Sequence, residues 1–160
     1  MAVRLGVADA ELSPTFRSEA VMRTIVCAVD ESPGAAEAIA VAADLSMRLG
    51  LRLVLAHVVE GHRGTKGADP GGVQAHTTGQ RVLEQVARTH NLESVADRRA
   101  EAGDRARELS RIASEEAAAV IVVGSRGRHR RGVGRLSRLS AELRSTAPCP
   151  VVVVPPLPRR

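Results

Sequence analysis

Aromatic side chains are almost missing from this sequence: Phe16 is the only one in 160 residues, with no Trp and no Tyr. A core built on packed rings is therefore excluded. Burial falls to Val, Leu, Ile and Ala, a palette that suits a parallel sheet covered by alanine-rich helices. Single-stranded nucleic acid is usually gripped by stacking bases on aromatic faces, and one Phe offers no such platform. Lysine is nearly absent too, with Lys66 alone, so the positive charge is carried by arginine. Only two cysteines occur, Cys27 and Cys149, in or beside separate apolar runs and without C-x-x-C spacing. They read as small buried residues of a reducing compartment, not as a disulfide. The five histidines show no ligand spacing with a cysteine or carboxylate partner, so no metal ligand is assigned. No segment reaches the ~18 consecutive apolar residues of a membrane span, and the N-terminal stretch lacks the continuous apolar core of a secretory signal. The expectation is a cytoplasmic protein with no membrane partner.

What is present is an alternation. At 160 residues and 44% hydrophobic, the chain suffices for one domain with one sizeable core. Residues 1–22 read as an N-terminal extension, 23–156 as the domain and 157–160 as a C-terminal tail. "TIVCAVD", Thr24 to Asp30, is a short apolar run without polar alternation, as in a strand buried on both faces. In the following "DESPG", Ser32 is suited to cap a helix and Pro33 to open it. That helix is expected to present Ala36, Ile39, Ala40, Ala43 and Met47 to the core and to stop at Gly50. Leu51–Val59 reads as a second strand. The Gly- and Pro-rich stretch from Glu60 to Gln80 has no period and reads as a long loop, either a lid or an insertion. A helix over Gln80–His90, a strand over Ser94–Glu101, a helix over Asp104–Glu116 capped by Asp104, and a strand "AAVIVVG" ending at Gly124 follow. Leu136, Leu139 and Leu143 share a helical face, and "VVVV" after Pro150 makes a fifth strand. Alternating strands and helices with right-handed crossovers predict an α/β three-layer sandwich with a five-stranded, mostly parallel sheet. Ligands of such sheets bind beyond the carboxyl ends of the strands, and Asp30 and Gly124 both lie there.

The charge is concentrated. The chain carries 23 basic and 18 acidic residues, a net charge of +5. Between Gly124 and Ala141 lie Arg126, Arg128, Arg130, Arg131, Arg135 and Arg138 with no Asp or Glu, and without them the two signs nearly cancel. A localised positive segment among glycines points to an anionic partner. A phosphate cradle, a nucleic-acid contact surface and a solvated loop all have this composition.

"IVCAVDESPGA", "EAGD" at Glu101–Asp104, "IVVGSRGR" at Ile121–Arg128 and "STAPCPVVVVP" at Ser145–Pro155, in this order and spacing, resemble the universal stress protein family. The resemblance runs from Thr24 to Pro156. It implies a sheet order of 3-2-1-4-5, adenine-nucleotide binding as in many members, and homodimers joined along the last strand. ATP-binding members carry a glycine, two residues, a second glycine, nine residues, a third glycine and then Ser or Thr. Gly124 and Gly127 match the first two, whereas Ser137 stands where the third glycine belongs and Arg138 where the hydroxyl residue belongs. The altered half lies where a helix N-terminus would offer unpaired N–H groups to phosphate. Arg138 is able either to pair with a phosphate or to fill its space.

By the same resemblance, Asp30 corresponds to an acidic residue that binds a ribose hydroxyl or holds a metal beside phosphate; capping the next helix is the local alternative. Val58 corresponds to an adenine contact and is equally a core valine. The implied cofactor-binding set is Asp30, Val58, Gly124, Arg126, Gly127, Ser137, Arg138 and Leu139, with ATP and Mg2+ as the ligand. Ser140 is either a substitute hydroxyl or an exposed helix residue, the second reading being preferred.

No catalytic residues emerge. There is no Ser/His/Asp order, no HxxEH-type helix and no Gly-Lys-Ser/Thr phosphate loop, so at most slow ATP hydrolysis is expected. Two readings lead: a nucleotide-binding regulatory module with a partly altered phosphate loop, and a dimeric interaction protein of the same family that has lost ATP. Nucleic-acid binding through the arginine segment is the weakest, for want of aromatics.

Overall fold

The computed structural model describes residues 23–30, 32–60, 70–125 and 138–158. Nine elements follow in order: β1 (Thr24–Ala28), α1 (Ala35–Leu49), β2 (Arg52–Val59), α2 (Pro70–Thr89), β3 (Ala96–Ala102), α3 (Arg105–Glu115), β4 (Ala118–Gly124), α4 (Arg138–Thr146) and β5 (Val151–Val154). The five strands make one sheet in the order β3-β2-β1-β4-β5, with every pairing parallel. Strand β1 is central and all five of its residues are buried, as its unbroken apolar run requires.

Side-chain alternation divides the core in two. Ile25, Cys27 and Val29 after β1, with Leu53 and Leu55 of β2, pack beneath α1 and α2. Val26, Ala28, Val54, Ala56 and Val58 face the other way, against Ala106, Leu109 and Ile112 of α3 and Leu143 of α4. The result is the expected three-layer sandwich.

Several local expectations are corrected. Ser32 does not cap α1: Gly34 occupies the N-cap position with no side-chain cap bond, and the helix starts at Ala35. The turn is instead tied to the end of β4, because the Gly34 N–H donates to the Ser125 carbonyl at 3.1 Å. The inward face also differs from the expected one. Ala38, Ile39 and Ala42 are buried, whereas Ala36 and Ala40 are exposed and Met47 is 77% exposed. In an alanine-rich segment small apolar residues lie on every side, so periodicity alone does not select the inward face. Gly50 does end α1, in the left-handed region at φ 63°.

The stretch read as a loop from Glu60 to Gln80 is helical from Pro70 onward; residues 61–69 lie outside the described residues. Each helical glycine costs about 1 kcal/mol relative to alanine, which is why the composition suggests a loop. Packing overrides that cost. A Cβ on Gly79 would stand 2.9 Å from the Ala100 Cβ and 3.5 Å from the His57 ring, so the glycine lets α2 lie against β2 and β3. The His76 Nδ1 atom, 2.9 Å from the Ala100 carbonyl, adds an anchor.

On the other face, β3 meets α3 through charge. Arg99 pairs with Glu101 at 3.1 Å and with Glu115 and Glu116 at 2.8 Å, while Arg111 pairs with Glu101, Glu108 and Glu115. Asp104 caps α3 as expected, its Oδ1 accepting from the Arg107 N–H at 3.0 Å. No helix among the described residues is long and apolar enough to cross a membrane.

Candidate functional site

The chain leaves β1 toward the face covered by α1 and α2, whereas the segment after β4 leads to α4 on the opposite face. Two neighbouring strands whose exits diverge leave a crevice between them at their carboxyl ends. The walls of this one are close. Gly124, last residue of β4, lies so near the β1–α1 turn that a Cβ on it would stand 2.5 Å from the Ser32 Oγ, 2.6 Å from the Gly34 carbonyl carbon and 2.8 Å from the Ala35 nitrogen. Gly34 is equally confined, with the Val154 carbonyl oxygen 2.6 Å from where its Cβ would be. The Ser125 N–H donates to the same Val154 carbonyl at 2.8 Å, so β1, β4 and β5 are bound together at this rim.

Asp30 follows β1 directly. Its Oδ1 accepts from the Ser32 N–H at 2.9 Å, which folds the exit into a tight turn and replaces the helix-capping role. Beneath it lies Cys27, whose thiol is pushed up to about 12, first by complete burial and then by the negative charge of Asp30. The Ser32 hydroxyl is buried and has no hydrogen-bond partner among the described residues. A buried hydroxyl without a partner costs about 1–3 kcal/mol. It marks a place where a polar ligand atom would be welcome, and the sequence reading missed it by assigning Ser32 to capping. Its signal was the Asp-x-Ser-Pro-Gly turn immediately after a buried strand.

Val58 is buried on the α3/α4 side of the sheet, in the layer of Val26 and Ala28. Arg138 opens α4. Its guanidinium donates to Glu142 at 2.7 Å, its side chain is 92% exposed, and its pKa is raised first by that bond, with smaller contributions from Asp104 and Glu60. The pairing holds it along the helix surface. Leu139 is half-buried against the α3/α4 core. Ser140, expected to be exposed, is fully buried, because one turn of α4 carries it toward the sheet together with Leu143. The structure thus brings Asp30, Ser32 and Gly124 together at one crevice and starts α4, with Arg138 and Leu139, beyond the same end of the sheet. Arg126, Gly127 and Ser137 lie outside the described residues. Among the described residues no group of three or more His, Cys, Asp or Glu side chains is arranged to hold a metal ion.

These features define a doubly wound α/β domain whose strand order reverses between β1 and β4, the place where this fold class binds ligands. The universal stress protein family model matches residues 22–155, and the chain belongs to that family. A family member from Burkholderia pseudomallei is 28% identical to it with a TM-score of 0.60, covering 84% of this chain and 96% of that one. A universal stress protein solved in complex with cAMP superposes with a TM-score of 0.66 at 18% identity, covering 84% of this chain and 98% of that one. Another, from Archaeoglobus fulgidus in complex with dAMP, gives 0.55 at 21% identity, with 84% and 98% covered. No curated protein sequence matches the chain significantly.

Proposed function

We propose that this chain is a nucleotide-binding regulatory module that takes an adenine nucleotide, ATP with Mg2+, in the crevice between β1 and β4. The observation that carries the reading is the buried Ser32 hydroxyl, without a hydrogen-bond partner among the described residues, beside Asp30 and Gly124, at the place where this fold class binds ligands. Family relatives solved with cAMP and dAMP support an adenine nucleotide as the ligand class. Asp30, whose Oδ1 accepts from the Ser32 N–H in the turn, is the group suited to a ribose hydroxyl or to Mg2+. That ion keeps most of its waters and needs only one or two carboxylates beside the substrate phosphates. Val58 packs the adenine side, Gly124 and Gly127 admit the phosphates close to the backbone, and Arg126 and Ser137, with Arg138 and Leu139 at the start of α4, complete the phosphate end. The chain assembles as a homodimer along β5, an edge strand whose Val152 is 38% exposed and whose outer backbone groups would otherwise offer themselves to any neighbour.

The second reading is a dimeric interaction module without ATP. It is favoured by the Arg138–Glu142 pair, which turns the one charged residue of the altered motif half away from a phosphate. Calorimetry with ATP separates the two. With Arg138 paired to Glu142, the variant carrying Ser137→Gly and Arg138→Ser is expected to gain one charge-assisted hydrogen bond to phosphate. Binding then tightens about ten- to a hundredfold, the equivalent of about 1.5 to 3 kcal/mol. Weaker binding by the variant would make Arg138 a phosphate ligand. No binding by either protein at millimolar ATP overturns the nucleotide reading in favour of the interaction module.

A further inference from the structure

His57 lies on β2 with its side chain on the α1/α2 side of the sheet, among the residues in line with Leu53 and Leu55. Its Nδ1 atom is 2.7 Å from the Val29 carbonyl oxygen. A carbonyl only accepts, so Nδ1 carries the proton and donates. The Val29 N–H is itself bonded to the Ala56 carbonyl at 2.7 Å. Val29 is the last residue before Asp30, and its carbonyl belongs to the peptide unit that carries the Asp30 nitrogen. Fixing that carbonyl fixes the peptide plane and hence the direction in which the Asp30 side chain leaves the backbone. Asp30 in turn accepts from the Ser32 N–H. The ring is supported from behind by α2, where the absence of a side chain on Gly79 leaves room for its Cδ2 edge. A chain of contacts therefore runs from α2 through His57 to the Val29 peptide and then to the Asp30–Ser32 turn.

We infer that His57 is a positioning residue for the β1 exit turn, holding the Asp30 carboxylate and the Ser32 hydroxyl in the geometry that binds the nucleotide. The inference rests on the reading of the crevice as a nucleotide site. It concerns the Nδ1 donor, not the bulk of the ring, and the two are separable. Asn places an amide N–H2 where Nδ1 stands, Gln reaches instead to the far side of the ring, and Leu fills the space without a donor.

The test compares wild type, His57→Asn, His57→Gln and His57→Leu by ATP calorimetry and by amide hydrogen exchange at Ser32. His57→Leu and His57→Gln are expected to weaken ATP binding about tenfold, the worth of one hydrogen bond, and to speed Ser32 exchange by a similar factor. His57→Asn is expected to stay within about twofold of wild type in both. Equal losses in His57→Asn and His57→Gln would reduce His57 to a space-filling residue and overturn the inference. So would wild-type behaviour of His57→Leu. Should His57→Leu fail to fold, the Asn and Gln pair decides alone. Should the wild type bind no ATP, the nucleotide reading fails by itself, and Ser32 exchange still accepts or rejects the role of His57 in setting the turn.

Discussion

The tightest contact at the rim gives the sharpest prediction, that Gly124→Ala loosens the end of the sheet. Nonbonded carbon atoms rest at about 3.5–4.0 Å, and the added Cβ would stand 2.6 Å from the Gly34 carbonyl carbon, an overlap of about 1 Å. The Ser32 Oγ, at 2.5 Å, turns about a single side-chain bond, whereas the backbone of Gly34 and Ala35 is tied by hydrogen bonds. Gly34 N–H is bonded to Ser125, its carbonyl accepts the first helical bond from Ala38 at 2.9 Å, and Ala35 N–H is bonded to Ser32. Relief requires the start of α1 to back away and break the Gly34–Ser125 link. Overpacking of this kind costs about 1–3 kcal/mol and the lost hydrogen bond about 1 more. For a domain of this size that lowers Tm by roughly 5–15 °C. Gly124 is not among the glycines with positive φ, so the cost is steric and not conformational. Gly50→Ala is the matched control: it sits at φ +63° with nothing within 4 Å of its would-be Cβ. It should lose only the left-handed penalty, about 1–2 kcal/mol, and bind ATP like wild type, because it closes the far end of α1. Urea denaturation, thermal melting and ATP calorimetry on both variants read these effects. A Gly124→Ala protein with the urea midpoint of wild type would refute the reasoning.

Three further outcomes are expected. Burial keeps the Cys27 thiol protonated up to about pH 12, so its stabilising contribution is complete below the ordinary value of 9.0 and is lost as pH rises above it; an alkylating reagent at pH 8.5 should modify Cys27 only after urea is added, and modification of both cysteines in the native protein would contradict the burial. Glu115 is held below its ordinary 4.5, first by its hydrogen bond from Arg99 and then by that from Arg111; its contribution is present above that value and lost on further acidification, so the difference in urea midpoint between wild type and Glu115→Gln should be largest at neutral pH and vanish in acid, whereas a constant difference would assign the effect to packing. Val152→Lys places a charge on the exposed edge of β5 and should halve the mass seen by light scattering at micromolar concentration; a mass that stays unchanged would reject pairing along that strand.

The amino-acid sequence alone settles the strands, the alternation and the sheet class, because a short apolar run without polar alternation such as Thr24–Val29 suits a strand covered on both sides. It also determined the helix stop at Gly50, the Asp104 cap and the carboxyl-end position of Asp30 and Gly124, all of which follow from local backbone chemistry. Tertiary structure decided the rest. Helix α2 begins at Pro70 despite three glycines in its first ten residues, because Gly79 and His76 meet β3, a contact that no local propensity contains. The inward face of α1, Ala38, Ile39 and Ala42, is set by packing against the sheet, because the alanines on every side leave periodicity without a preference. Ser32, suited to a cap, became a buried hydroxyl of the crevice, and Arg138, suited to phosphate, turned to Glu142. In each case the deciding partner is close in space or one helical turn away, and a residue's type fixes only the partners it is able to take; the fold selects among them.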